Sequence, residues 1–170
     1  MSDQALTVRP FDPERIITVL AQHQVAFVLV GALGARLFGF PRTTSDADIA
    51  PAMDAANLER LAAALRELGA RVYTESVPEG LVFDCSARSL ARAPLWNLIT
   101  DAGRIDLVFQ PKGVAGFAEL APRAVAFEVF GHTLHVAKLE DILKMKEAAD
   151  RPQDRQDALL IREMLARGVS

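Results

Sequence analysis

Apolar residues recur at helical or strand spacing along most of the chain, and no repeat or low-complexity tract interrupts the pattern. Ile16, Ile17 and Leu20 lie on one helical stripe that follows Asp12, a residue type that caps helices. A second stripe follows Asp54, another capping residue, and consists of Leu58, Leu61, Leu65 and Leu68. These patterns predict two amphipathic helices, each packed by its apolar face.

Short apolar runs bounded by turn residues predict the strands. "AFVLV" ends at Gly31, a short helix is predicted from about 33 to 38, and "ADIAP" forms a second strand that Pro51 stops. Six further runs are predicted strands: "RVYTE", "GLVFDC", "LWNLIT", "RIDLVF", "AVAFEVF" and "TLHVA". The order predicts an α/β (α+β) fold, a mixed β-sheet flanked by helices with a C-terminal helical pair at about residues 139–167.

Composition narrows the class of protein. A chain of 170 residues, 51% of them hydrophobic, is long enough for one domain, residues 1–170, with a core at about residues 25–110. The single cysteine, Cys85, cannot form an internal disulfide, which favours a cytoplasmic protein. The longest apolar stretch is interrupted by Arg36, so we expect neither secretion nor membrane insertion. A net charge of −3 gives no general attraction to nucleic acid.

Three aspartates interrupt apolar strands. Asp46 and Asp48 are two residues apart in a predicted strand, so both side chains point to the same side of the sheet. Asp106 stands alone in "RIDLVF", where a buried carboxylate needs a metal or a hydrogen-bond donor. A hard cation such as Mg²⁺ would hold such carboxylates together, whereas two solvated surface aspartates are the alternative for the pair.

Gly31 follows the first strand and precedes a helix, where the lack of a side chain would let a phosphate approach the backbone. An ordinary strand-to-helix turn is the alternative. Three carboxylates beside a glycine turn are the parts that metal-assisted phosphoryl or nucleotidyl transfer requires.

The two C-terminal helices carry charged residues on their apolar stripes. Lys146 lies at helical spacing from Leu139, and Asp154 and Asp157 share a stripe with Ile161. Inward charges on neighbouring helices predict an ion pair between the helices, either as part of a phosphate site or as a purely structural contact.

The segments "VGALGARLFGFPRTTSDADI" and "RIDLVF" resemble the core of the nucleotidyltransferase superfamily, in which a glycine turn precedes an hDxDh strand and a third Asp lies on a later strand. The spacing of Arg42, Thr44, Asp46 and Asp48 and the ending "LEDILKMKEAADRPQDRQDALLIREML" resemble toxins of the AbiEii/MenT type. Ala32 departs from the pattern, because many members carry Ser or Gly there. A hydroxyl contact to the triphosphate is therefore missing at position 32, and Ser45 or the backbone would have to make the contact instead.

The resemblance implies a single nucleotidyltransferase-like domain that uses Mg²⁺ or Mn²⁺ and takes an NTP as substrate. It implies three sets of site residues: catalytic Asp46, Asp48, Asp106 and Lys146; metal-binding Asp46, Asp48 and Asp106; and nucleotide-binding Gly31, Ala32, Arg42, Ser45, Lys146 and Asp154. The implied acceptor is the 3′ end of RNA, expected to be tRNA, and the implied role is a toxin that a cognate antitoxin protein neutralises. A small-molecule (aminoglycoside-type) or protein acceptor and a non-catalytic interaction module are the alternatives.

Overall fold

A mixed sheet forms the centre of the protein. The computed structural model describes residues 10–170, in which seven strands pair in the order β3-β4-β5-β2-β1-β7-β6. The strands are β1 (Phe27–Val30), β2 (Asp46–Pro51), β3 (Arg71–Val72), β4 (Leu95–Thr100), β5 (Gly103–Val108), β6 (Val125–Val129) and β7 (His132–Val136). β2 pairs antiparallel with β1 and parallel with β5, which confirms the predicted mixed sheet.

Helices flank this sheet, and the two predicted caps are present. The helices are α1 (Pro13–Gln22), α2 (Gly31–Leu37), α3 (Ala55–Glu67), α4 (Ala87–Leu90), α5 (Phe117–Leu120), α6 (Leu139–Ala149) and α7 (Pro152–Ala166), with a short 3-10 helix at Ala121–Arg123. Asp12 accepts a hydrogen bond from the Arg15 N–H at 3.0 Å, and Asp54 accepts one from the Asn57 N–H at 2.9 Å. Within residues 10–170, no helix combines the length and the apolar character that a membrane crossing requires.

The two faces of the sheet are covered differently, and this difference positions the site. One face packs against the buried stripes of α1 and α3 through Leu29, Ile49 and Ile105. On the other face, Val28 and Val30 pack beneath α2, α6 and α7. This second hydrophobic core, formed with α2, α6 and α7, covers β1 and the end of β2. It leaves Leu95 of β4 49% exposed. The second face is therefore half covered and half open.

One predicted strand is absent, and two predicted elements are present with different bounds. "GLVFDC" is not a strand, because only Leu81 pairs, in a single bridge to Val72, and Val82 is 81% exposed and so gains nothing from the sheet. "RVYTE" contributes only Arg71–Val72, at the edge of the sheet. α2 begins at Gly31, two residues before the predicted start. The helices α4 and α5 were not predicted, since four-residue helices carry too little periodicity to detect.

Candidate active site

Asp46, Asp48 and Asp106 meet at the centre of the sheet, as predicted. Asp48 of β2 is the direct cross-strand partner of Asp106 of β5, so both carboxyls leave the same face side by side. One oxygen from each of the three carboxylates lies within 4.8 Å of the other two. We call these three residues the carboxylate cluster.

The electrostatics of the carboxylate cluster favour a cation. Burial raises the pKa of Asp48 well above its usual range, and the charges of Asp46 and Asp106 raise it further, while Lys146 opposes the shift. Burial also raises the pKa of Asp106, Arg104 opposes this shift, and Asp46 adds to it. Three carboxylates held this close form a donor set that suits Mg²⁺ or Mn²⁺, because a hard cation would neutralise the repulsion.

Gly31 makes room for the carboxylate cluster. Its φ of +65° is a conformation that glycine adopts without strain, and any Cβ at this position would overlap the Asp48 carboxylate. Val30, the preceding residue, is the cross-strand partner of Asp48. The glycine is therefore needed for the position of Asp48 itself, a role that the sequence analysis did not assign to it.

Thr44 holds Asp46 in place. Its hydroxyl donates to the Asp46 carboxylate at 3.0 Å and accepts from the Asp46 backbone N–H at 3.4 Å. The spacing of Thr44 and Asp46 was part of the sequence resemblance, and the hydrogen bonds give it a physical reason.

Four further charged residues form an ion-pair network between the loop before β2 and the two C-terminal helices. The Lys146 ammonium lies 3.4 Å from Asp154 Oδ1 and 3.0 Å from Asp157 Oδ2. Asp157 also accepts two hydrogen bonds from Arg42, at 2.9 Å and 2.7 Å. The predicted pair between Lys146 and Asp154 is thus present, but Asp157 is the centre of the network.

The basic partners of Asp154 and Asp157 lower the pKa of both aspartates. Burial disfavours the charged form of Asp154, but the hydrogen bond from Arg151 and the charges of Lys146 and Arg151 outweigh it, so its pKa is lowered. Burial acts in the same way on Asp157, and hydrogen bonds from Arg42 and Lys146 lower its pKa below the usual range.

A cavity of about 490 Å³ opens between the uncovered half of the sheet face and α6. Five of the predicted site residues line it: Gly31, Asp48, Asp106, Lys146 and Asp154. Arg151 lies on the same side as Lys146 and Asp154, while Leu95, Asn97 and Val108 form part of the opposite wall.

The remaining predicted site residues lie near this cavity but do not line it. Asp46 belongs to the carboxylate cluster. Ser45 is exposed directly before Asp46, and Arg42 is held by Asp157. Ala32 is only 5% exposed, so its side chain belongs to the core.

Arg104 was missed by the sequence analysis. Its guanidinium lies 3.8 Å from the centre of the Tyr73 ring, and its Nη2 lies 3.4 Å from Asp106 Oδ1. The Arg104 Nε is buried without a hydrogen-bond partner. The signal was available in the sequence, since residues 104 and 106 of one strand point to the same side of the sheet.

Solved structures of antibiotic-modifying enzymes share this architecture. The lincosamide antibiotic adenylyltransferase LnuA, bound to lincomycin, superposes with a TM-score of 0.59 at 13% identity, covering 92% of this chain and 99% of that one. ANT(2″)-Ia in complex with adenylyl-2″-tobramycin gives a TM-score of 0.55 at 18% identity, covering 92% and 90%. The chain has the nucleotidyltransferase fold.

A solution structure of the antibiotic-resistance factor ANT(2″)-Ia agrees, with a TM-score of 0.53 at 18% identity, covering 90% of this chain and 82% of that one. No protein-family model matches the chain, and no curated protein matches it in sequence. The superfamily fold expected from the sequence is therefore confirmed, whereas the narrower AbiEii/MenT resemblance has no counterpart among these structures.

Proposed function

We propose that the protein is a nucleotidyltransferase that moves a nucleoside monophosphate from an NTP to a hydroxyl group of a small-molecule acceptor. The observation that carries this proposal is the carboxylate cluster, whose oxygens lie within 4.8 Å of one another at the wall of an open cavity. Asp46, Asp48 and Asp106 would hold Mg²⁺ or Mn²⁺. When bound, the cation would neutralise charge on the phosphates and polarise the attacking hydroxyl.

The reaction forms one bond and breaks one. The acceptor hydroxyl attacks the α-phosphorus, a new O–P bond forms, and the bond to the bridging oxygen breaks, so that pyrophosphate leaves. The hydroxyl proton passes to a carboxylate, for which Asp106 is our candidate because it lines the cavity beside the open sheet face.

Lys146 is our candidate for the phosphate contact. An ammonium group has three N–H donors, and the ion pairs of Lys146 within residues 10–170 are with two carboxylates, Asp154 and Asp157. The third donor is available to a phosphate oxygen, while the two carboxylates fix the direction of the side chain. Asp154 would in addition orient Arg151, which lines the same side of the cavity.

The other predicted nucleotide-binding residues take supporting roles in this proposal. Ser45, exposed beside Asp46, would reach a phosphate through its hydroxyl, and Gly31 and Ala32 would contribute only backbone N–H groups. Arg42 would act through Asp157, since that carboxylate engages two of its nitrogen atoms.

The solved structures support a small-molecule acceptor over RNA. LnuA is bound to lincomycin, and ANT(2″)-Ia to an adenylylated tobramycin, whereas the tRNA acceptor and the toxin role with an antitoxin rest on sequence resemblance alone. The net charge of −3 also gives no general attraction to RNA.

A transfer assay with labelled NTPs tests the proposal. Each α-³²P-labelled NTP is incubated with Mg²⁺ and the protein, and the acceptors offered are lincomycin, tobramycin, sugar phosphates, total RNA or none. We expect label on a small molecule with the wild type and none with Asp48→Asn. Asp150→Asn is the matched control, because Asp150 is a surface aspartate whose ion pair is with Arg155.

Three other outcomes of this assay would change or refute the proposed acceptor. Label on small RNAs that disappears in Asp48→Asn would keep nucleotidyl transfer and replace the acceptor. Label on the protein alone would indicate self-modification. An absence of transfer from every NTP to every acceptor would refute the proposal.

A further inference from the structure

The open half of the sheet face offers a route to Asp106 that is separate from the Lys146 side of the cavity. Asn97 of β4 is the cross-strand partner of Asp106 and is exposed, and Leu95 on the same side of β4 is 49% exposed. Arg104 lies two residues before Asp106 on the same side of β5. Asn97 thus lies beside Asp106 on the side away from the covered half of the face, and the Arg104 guanidinium is drawn to that side by Tyr73, which directly follows β3.

In-line transfer requires the attacking hydroxyl and the leaving pyrophosphate to lie on opposite sides of the α-phosphorus. Lys146 and Arg151, the cations that line the cavity on the α6–α7 side, belong with the phosphates in the proposed function. On that basis the acceptor approaches Asp106 from the opposite direction, across β5, where Arg104 is the neighbouring cation.

Arg104 is poorly satisfied by the protein itself. Its contact with Asp106 is 3.4 Å, longer than the 2.7–2.9 Å typical of a charge-assisted hydrogen bond, and its Nε donor is buried without a partner. The guanidinium is also stacked on Tyr73 at 3.8 Å, which fixes its plane. The buried Nε is out of reach of a ligand, so the donors that would bind a phosphate or carboxylate group are the Nη groups of this side chain, which is 31% exposed.

The charged residues that line the cavity also favour an anionic acceptor. Apart from Asp48 and Asp106 of the carboxylate cluster, the charged lining consists of Lys112, Lys146, Arg151 and Asp154. Asp154 is already paired with Lys146 and Arg151. Within the described part of the chain, no further carboxylate lines this cavity to receive the ammonium groups of a polycation.

We infer that Arg104 binds the acceptor, and that this acceptor is a hydroxyl compound carrying an anionic group, a phosphate or a carboxylate, rather than a polyamine. The inference rests on the proposed function and names the substrate class of its site. Arg104 is a specificity-determining residue in this assignment. Tyr73 is a positioning residue that acts through the guanidinium.

Binding of a simple probe tests the inference without any transfer. Ribose 5-phosphate is titrated in the presence of Mg²⁺, and the ¹H–¹⁵Nε resonance of Arg104 is followed by NMR, assigned by its loss in Arg104→Gln. We expect this resonance to shift with ribose 5-phosphate and to remain unchanged with ribose. Affinity measured by calorimetry is expected to fall about tenfold in Arg104→Gln, the effect of losing one charged hydrogen-bond donor.

Two further variants show where in the cavity ribose 5-phosphate binds. Arg162→Gln removes an ion-paired arginine on the outer side of α7 and is expected to leave binding unchanged. Lys146→Gln removes the cation on the phosphate side, and thermal unfolding confirms that each variant is folded. Loss of binding in Lys146→Gln but not in Arg104→Gln would overturn the inference, as would tighter binding of tobramycin than of ribose 5-phosphate.

Kinetics separate this inference from the proposed function. If the wild type transfers a nucleotide, Arg104→Gln is expected to raise the KM of an anionic acceptor about tenfold and to leave the KM of the NTP unchanged. Equal effects on both KM values, or a polyamine as the best acceptor, would contradict the role of Arg104 and leave nucleotidyl transfer intact. Failure of all transfer would refute the proposed function, and the probe titration would still decide whether Arg104 binds an anion.

Discussion

Replacing Asp48 with asparagine is expected to stabilise the metal-free protein while removing its response to Mg²⁺. Asp48 faces Asp106 across the pair of β2 and β5, and Asp46 lies two residues before it. Without a cation the native structure holds three acidic groups together, and the unfolded chain separates them. Asparagine has nearly the shape of aspartate but no negative charge, so the substitution removes repulsion without creating a cavity.

The size of the effect follows from the separation of the carboxylates. Two unit charges within 4.8 Å of each other repel by at least about 3 kcal/mol at an effective dielectric constant of 20. Asp48 relieves part of this cost by retaining a proton, as its raised pKa indicates. We therefore expect a net gain of about 1–2 kcal/mol in the free energy of unfolding, or about 2–8 °C in Tm for a domain of this size.

Mg²⁺ is expected to raise the Tm of the wild type and to leave the Tm of Asp48→Asn unchanged. At ten times its Kd, a ligand that binds only the native state adds about 1.4 kcal/mol, which raises the Tm of the wild type by about 3–6 °C. The assay is thermal unfolding of the wild type, Asp48→Asn and the control Asp150→Asn at constant ionic strength, with and without Mg²⁺. A lower metal-free Tm of Asp48→Asn, or a wild-type Tm that does not respond to Mg²⁺, would refute the reasoning.

Three further predictions concern the residues that support the site. Gly31→Ala is expected to cost roughly 1–3 kcal/mol and to abolish the Mg²⁺-dependent rise in Tm, because the new Cβ would overlap the Asp48 carboxylate at a positive φ; an unchanged Mg²⁺ response would contradict this. Asp157→Ala is expected to lower the free energy of unfolding, measured with urea, by about 3 kcal/mol, because it leaves Arg42 without its carboxylate partner and Lys146 with Asp154 alone; a loss no larger than that of Asp150→Asn would contradict the network. Asp154 and Asp157 have lowered pKa values, so their ionised forms stabilise the native state above the unfolded pKa of about 3.9, and this contribution is lost as the pH falls through their lower folded values. Urea unfolding between pH 5 and pH 2 is expected to show a steeper loss in the wild type than in Asp157→Asn, and equal slopes would contradict the assignment.

The carboxylate cluster could be predicted from the sequence because its signals are local. Alternation places Asp46 and Asp48 on one side of a strand, and Asp106 stands out against an apolar background. The sequence did not contain the register that makes Asp48 the direct partner of Asp106, since pairing between distant strands is decided by the packing of the whole sheet.

One of the missed contacts joins distant parts of the chain. Arg42 and Asp157 are 115 residues apart, and no local pattern in either segment indicates the other. Lys146 and Asp154 were predicted as a pair because eight residues and one turn separate them. The failure of the "GLVFDC" strand has a similar cause, because strand propensity does not reveal whether a partner strand is within reach.

The half-covered sheet face leaves the carboxylate cluster accessible and still partly shielded from water. Full coverage of this face by helices would bury Asp48 and Asp106 beyond the reach of a substrate, and full exposure would let water screen every charge. The boundary between α6 and the open strands gives both access and low polarity. Lys146 sits on the covered side, only 13% exposed, and Arg104 on the open side, 31% exposed. The two cations on either side of one carboxylate cluster are the reason to assign phosphates to one side and the acceptor to the other.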